Sequence, residues 1–312
     1  MTKVKLLIWL SIIMLGSLIL IGCSSSSDIP KISFGVAEEQ SSTNYDDNAN
    51  TKEPLKVAIA AVISAKESMI YYEDLIKYLG EELNRPIEIV QRKTYGEVND
   101  LLRVGQVDLA FVCTYAYIIG KEEFGLELLV APQVNGKPTY QNYIIVPKDS
   151  DAEKLEDLKG KRFAFTDPIS FTGRLYPTYK LKTMGYIPEE FFNKVIFTYS
   201  HDNSIKAVAQ GIVDGAAVDG LILEYLYTVD PSYYEKIKVI HKSDEFGMPP
   251  VAVPATLKPE LKEELRELFV TLHLSENKAI LQKLQIEQFV VVSDSNYDGI
   301  RAVLAYGEKN EE

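Results

Sequence analysis

The sequence predicts an α/β protein of two lobes, each a mainly parallel sheet flanked by helices. Short apolar runs alternate with stretches of helical periodicity along the chain, the pattern of parallel sheets covered by helices. From about Leu55 to about Tyr306 there are roughly 250 residues, enough for two modest cores. Two strand-to-helix turns carry clustered polar donors, and open α/β sheets take their ligands at the carboxyl ends of strands.

The elements follow in order. Leu55–Ala60 reads as a strand, and Tyr72, Leu75, Ile76, Leu79 and Leu83 then share one helical face. Pro86–Val90 is the next strand, Tyr95–Arg103 a helix ended near Gly105, Val107–Val112 a strand and Tyr117–Phe124 a helix. Gln141–Pro147 reads as a strand that crosses to the second lobe. There the pattern repeats: strand 162–166, helix 173–184, strand 195–199, helix 204–210 and strand 215–218. Lys236–Ile240 leads back, and Pro259–His273 closes with a helix whose Leu261, Leu265, Leu268, Phe269 and Leu272 form a core-facing stripe. The expected division is 55–146 with 241–306 for the first lobe, 147–240 for the second and 307–312 for a tail.

The N-terminus predicts export. Lys3 and Lys5 precede an uncharged run from Leu6 to Ile21, and Leu20-Ile21-Gly22-Cys23 follows. A basic start, a short apolar stretch and small residues at a cut site make a secretory leader, expected over 1–22. Leu-Ile-Gly-Cys resembles the bacterial lipobox, which implies lipidation of Cys23 and a soluble body tethered outside the cytoplasm. Residues 23–54, rich in Ser, Asn and Asp, are expected to be a flexible tether. The formal charge of −12 grows more negative when Lys3 and Lys5 leave with the leader, and it argues against nucleic acid as a partner. Cys113 is the second of two cysteines, so the body has no internal disulfide.

Residues 167–173, Asp-Pro-Ile-Ser-Phe-Thr-Gly, are the most informative stretch. They lie where a buried strand turns into a helix. Helix starts offer free N–H groups and a favourable dipole for anions. Ser170 and Thr172 add donors, and Gly173 permits close approach to the backbone. The segment is therefore either a small-anion cradle or an ordinary cap. His201, in Ser200-His201-Asp202-Asn203-Ser204, occupies a second such turn. No nucleophile elbow, phosphate-binding loop, zinc-protease motif or Cys-x-x-Cys occurs, so the sequence predicts no enzyme, no cofactor and no metal site.

Together these segments resemble the phosphonate-, phosphite- and phosphate-binding receptors of ABC importers. The resemblance is carried by Val107-Asp108-Leu109-Ala110-Phe111, Tyr143–Ser150, Leu155–Lys161, Asp167-Pro168-x-Ser170-x-Thr172-Gly173, Ser200-His201-Asp202 and Val213-Asp214-Gly215-Ala216. It implies the type II periplasmic-binding fold, with two crossing strands and a hinge that closes on ligand. It also implies that Ser170, Thr172 and His201 bind the oxyanion, with Tyr95 and Tyr140 reaching in from the first lobe. Phe171 stands where that family often has a hydroxyl residue. The acidic residues that hold the amine of aminoalkyl phosphonates are missing, with Leu221 and Pro249 near their places and Asp219 as a nearby substitute. Cys113, followed by Thr114, falls where a small residue lines the cleft. It is either a buried lining group or a soft ligand for arsenite. The second reading implies a sensory receptor docking a membrane histidine kinase instead of an ABC permease. The body is expected to be a monomer.

Overall fold

Alternating apolar runs become two sheets in the computed structural model, which describes residues 52–308. The expected leader, Cys23 and the expected tether as far as residue 51 lie outside the described residues. In the first sheet, β1 (Leu55–Ile59), β2 (Ile87–Gln91), β3 (Leu109–Phe111), β4 (Glu127–Gln133), β12 (Val251–Val253) and β13 (Gln288–Val290) lie in the order β13-β4-β12-β3-β1-β2. The second sheet holds β6 (Asn142–Pro147), β7 (Arg162–Phe165), β8 (Lys194–Phe197), β9 (Gly215–Asp219) and β10 (Ile237–Lys242) in the order β10-β6-β9-β7-β8.

The α/β class holds, but both sheets are mixed where mainly parallel ones were expected. β1 runs parallel to β2 and β3, and β7 parallel to β8 and β9. The remaining pairs, which involve β4, β12 and β13 in one sheet and β6 and β10 in the other, are antiparallel. Strands that leave or re-enter a sheet at a crossing come back against the direction of the helix-linked strands. The crossings themselves are the short strands β5 (Thr139–Tyr140) and β11 (Phe246–Gly247), paired antiparallel as a two-stranded ribbon. The runs at 141–147 and 236–240, taken from the sequence as crossing and returning strands, sit inside the second sheet as β6 and β10.

Helices of eight or more residues are α1 (Ala65–Glu82), α2 (Tyr95–Arg103), α3 (Thr114–Phe124), α4 (Tyr176–Thr183), α5 (His201–Ala209), α6 (Gly220–Val229), α7 (Pro259–Thr271) and α8 (Asp298–Glu308) among the described residues. The apolar faces of α1 and α7 meet on the first sheet: Leu75, Leu79 and Leu83 pack with Leu265, Phe269 and Leu272 in one core. Burying a Leu or Phe side chain contributes roughly 1.5–3 kcal/mol, so this face anchors both helices to β1 and β3. The second sheet has its own cores on either side of β6, β7 and β9.

Three helix starts depart from the sequence reading, and each bears on the site. α3 starts at Thr114 with Cys113 as its cap, three residues earlier than predicted. α5 starts at His201, not at 204, because Ser200 is the last extended residue. The helix predicted over 173–184 opens instead with one π-turn, Phe171–Leu175, in which Leu175 N–H donates to Ser170 O at 2.9 Å. Such wide turns inside helices are common at functional sites.

Candidate functional site

The carboxyl ends of the parallel strands of both sheets face a common set of polar residues. β2 leads into Tyr95, β3 into Cys113 and Thr114, β7 into Asp167–Gly173, β8 into His201 and β9 into Asp219. All of the binding residues expected from the sequence, Tyr95, Cys113, Thr114, Tyr140, Ser170, Phe171, Thr172, Gly173, His201 and Asp219, lie near these ends or on the β5 crossing. Their side chains are buried throughout.

Tyr95 is the first residue of α2, held there by a capping box. Thr94 Oγ1 accepts from Glu97 N–H at 3.2 Å, and Glu97 Oε2 accepts from Thr94 N–H at 2.9 Å. The phenol is buried and its hydroxyl has no hydrogen-bond partner of acceptable geometry, although the Ser170 hydroxyl lies close by. Burial pushes the phenol's pKa well above its ordinary value, so the group is a neutral O–H donor.

Ser170 caps the π-turn by accepting from Gly173 N–H at 3.0 Å. A hydroxyl accepts through its lone pairs and keeps its own hydrogen to donate. The two readings of this segment, cap and anion donor, are therefore compatible in one side chain. Gly173 departs from expectation. A Cβ there would lie 2.4 Å from Thr166 Cβ, so the space freed by the missing side chain is occupied by Thr166 and not kept for a ligand. Phe171 turns into an aromatic cluster with Phe246 at 4.7 Å and Tyr176 at 6.2 Å.

His201 has its tautomer set by its surroundings. The Asp219 backbone N–H donates to His201 Nδ1 at 2.9 Å, and Thr166 Oγ1 lies 3.2 Å from the same nitrogen. Nδ1 is thus an acceptor, and the ring proton resides on Nε2. Burial lowers the pKa of the imidazole to about 3, so the ring is neutral and offers an N–H without a charge. Asp219 caps α6 by accepting from Leu221 N–H at 2.8 Å, and burial raises its carboxyl to about 7.

Tyr140 and Thr114 pair hydroxyl to hydroxyl at 2.7 Å. Cys113 Sγ accepts from Phe171 N–H at 3.5 Å, and burial pushes its thiol pKa up. Burial outweighs the hydrogen bonds from Phe171, Tyr115 and Thr114 that favour the thiolate, so the thiol is neutral, the state in which a cysteine packs as a small lining group.

The set is extended by residues that sequence reasoning left out. Asp167 accepts from Ile169 N–H at 2.9 Å and from Tyr95 N–H at 3.1 Å, and so ties the β7 turn to α2. Asn142 donates from Nδ2 to Thr172 O at 2.6 Å and leaves its buried Oδ1 unpartnered. Asp202 accepts from Ser64 N–H at 2.8 Å and pairs with Lys206 at 2.8 Å. The His201 backbone N–H donates to Val62 O at 2.9 Å. Four bonds thereby join the strand ends of the first sheet to those of the second: Tyr95 to Asp167, Ser64 to Asp202, His201 to Val62 and Phe171 to Cys113. Asp167 stands in the motif that drew attention to Ser170, and its position before Pro168 was the available signal.

Residues 57–297 match the family described as the periplasmic substrate-binding protein of the phosphonate ABC transporter. The phosphate-import protein PhnD of Mycolicibacterium smegmatis is 28% identical over 80% of this chain and 85% of its own. The phosphonates-binding periplasmic protein of Escherichia coli is 26% identical over 76% of this chain and 71% of its own. The fold superimposes on the binding component of a Pseudomonas aeruginosa ABC phosphonate transporter with a TM-score of 0.79, at 24% identity over 83% of this chain and 88% of the other. It also superimposes on PhnD1 of Prochlorococcus marinus, solved with methylphosphonate, with a TM-score of 0.73, at 19% identity over 82% of this chain and 98% of that one. The architecture is that of type II periplasmic binding proteins, and the family consists of transport receptors, not enzymes. No helix among the described residues is long and apolar enough to cross a membrane. The chain belongs to the family of periplasmic substrate-binding proteins of phosphonate ABC transporters.

Proposed function

We propose that this chain is an extracytoplasmic receptor that captures a small phosphorus oxyanion between two closing lobes and delivers it to an ABC permease. The lobes are the two sheets with their helices, and the β5–β11 ribbon is the hinge. The cradle is built from Tyr95, Ser170, Thr172 and His201. Each is a neutral donor, and hydrogen bonds from such donors to an ionised oxygen are the stronger kind.

The observation that carries this reading is the buried, unpartnered Tyr95 hydroxyl beside Ser170. Leaving a polar group buried and unsatisfied costs about 1–3 kcal/mol. A ligand oxygen that accepts from it recovers that cost. Tyr95→Phe is therefore expected to weaken oxyanion binding by about 1–3 kcal/mol while leaving the free protein as stable as before, or more so. Ser170→Ala should weaken binding by a similar amount and also cost ~1 kcal/mol of stability through the lost cap. Calorimetry with phosphate, phosphite and methylphosphonate, alongside denaturation of the free protein, measures both quantities. Unchanged affinity in Tyr95→Phe would remove the cradle.

Cys23 as the lipid-bearing residue completes the reading and places the body at the outer face of the membrane, as a monomer. Metabolic labelling with a tagged fatty acid should mark the parent protein and not Cys23→Ser. Equal labelling of the two would end the anchor claim.

A further inference from the structure

Beside the cradle lies a cavity of about 160 Å³ that the oxyanion donors do not fill. It is one residue removed from the cradle. Val62 and Asp219 both line it, and these residues supply the carbonyl and the N–H bonded to His201. One wall is a run of aromatic rings that extends from the first sheet to α6. Tyr72 lies 4.7 Å from Phe111, Tyr71 lies 5.0 Å from Tyr72, and Tyr225 lies 5.1 Å from Tyr71. The Tyr71 hydroxyl donates to the backbone oxygen of Leu284, which also lines the cavity. Leu221, Ile222, Met248 and Pro250 are among the other lining residues.

The chemistry of this wall selects its occupant. No Lys or Arg lines it, so it offers nothing to a second anion. Of its two carboxylates, Glu224 already accepts from the Tyr143 hydroxyl at 2.7 Å, and Asp219 caps α6. Gln285 donates from Nε2 to Thr228 Oγ1, and apart from the Tyr72 hydroxyl what remains is mainly aromatic and aliphatic surface. An apolar cavity of about 150 Å³ is large enough to bind benzene, and aromatic walls favour a ring in edge or offset contact.

We infer that this cavity receives the organic substituent of the bound oxyanion, so that the cargo is a monosubstituted phosphorus oxyanion bearing a compact apolar group about the size of a phenyl ring. The inference rests on the oxyanion reading of the cradle and names the class of cargo within it. The phosphorus oxygens meet Tyr95, Ser170, Thr172 and His201, while the substituent passes Asp219 and Val62 into the cavity.

The test is calorimetry with phosphate, methylphosphonate, phenylphosphonate and 2-(trimethylammonio)ethylphosphonate on the parent protein, on Ile222→Phe and on Ile222→Ala. Phenylphosphonate should bind the parent about tenfold or more tightly than methylphosphonate, since a buried ring outweighs a buried methyl. Ile222→Phe, which fills the cavity, should erase that advantage while leaving methylphosphonate within about twofold. Ile222→Ala, which enlarges it, keeps the test decisive if the larger side chain fails to fold. It should lower the phenyl advantage by removing wall contacts while sparing methylphosphonate. Methylphosphonate or phosphate bound as tightly as phenylphosphonate would overturn the cavity assignment and leave the cradle standing. So would tighter binding of the trimethylammonio ligand, which would make the cavity a cation site. Binding of none of the four would overturn the cradle reading and the cavity assignment together.

Discussion

Asp219→Asn is expected to stabilise the ligand-free protein relative to its parent at pH 8 but not at pH 4, and His201→Gln to stabilise it at acid pH but not at pH 8. The two groups titrate in overlapping windows with opposite sign. Burial raises the Asp219 carboxyl from 3.8 to about 7. The folded chain keeps a proton there that the unfolded chain releases, so the parent loses stability as pH rises from about 4 to about 7. Burial lowers the His201 imidazole from 6.5 to about 3. The unfolded chain takes up a proton that the folded chain refuses, so the parent loses stability as pH falls through that interval. Each shift corresponds to something on the order of 4 kcal/mol, and in the parent the two largely offset. Asn keeps the cap on α6, and Gln retains an oxygen that can accept the Asp219 N–H. Urea denaturation at pH 4, 6 and 8 reads the result. Difference curves from the parent that are flat with pH in both variants would refute the assigned burial of these groups.

Gly173→Ala is expected to cost at least about 3 kcal/mol of stability, at the upper end for overpacking, and to abolish oxyanion binding. The added Cβ would lie 2.4 Å from both Cβ and Oγ1 of Thr166 and 2.9 Å from Ser170 Oγ. Thr166 is β-branched and buried, so its χ1 is restricted. Relief requires the π-turn to move, and Ser170 and Thr172 would move with it. Gly96→Ala is the matching control. A Cβ at Gly96, on α2 next to Tyr95, meets nothing within 4 Å. That change should be neutral or stabilise by up to about 1 kcal/mol through helix propensity. Thermal melts of both variants decide the point. A Gly173→Ala protein that folds and binds like its parent would show that the turn is softer than its packing implies.

The α/β class was legible because β1, α1, α2 and β7 each carry a clear period over a run bounded by turn residues. β12 was not, since Val251–Val253 is a three-residue strand between Pro249-Pro250 and Pro254 and offers no period to read. β4 and β13 were missed for a related reason. Their pairings are antiparallel and set by the return of the chain from the second sheet, which no local pattern encodes. In the candidate site, Ser170, Thr172 and His201 stood out because hydroxyl and imidazole donors at strand-to-helix turns are a local signal. The roles of Asn142 and Asp167 depend on partners 30 and 72 residues away, Thr172 O and Tyr95 N–H, and only the fold brings these together. The π-turn was hidden too, because a capped helix start and a wide turn use the same residues in the same order.

The four bonds between the strand ends of the two sheets involve only protein groups, and this has a kinetic consequence if the lobes part to admit cargo. Where the loaded receptor keeps the same bonds, they cancel from the equilibrium affinity. They do not cancel from the rates, because loading and unloading both require them to break. At about 1 kcal/mol each, three or four such bonds slow both steps by on the order of a hundred- to a thousandfold. The receptor would then fill slowly and hold its cargo for a long residence time, at an unchanged dissociation constant. A permease that pulls Asp202 from Ser64, or Asp167 from Tyr95, would speed release without having to compete for the ligand.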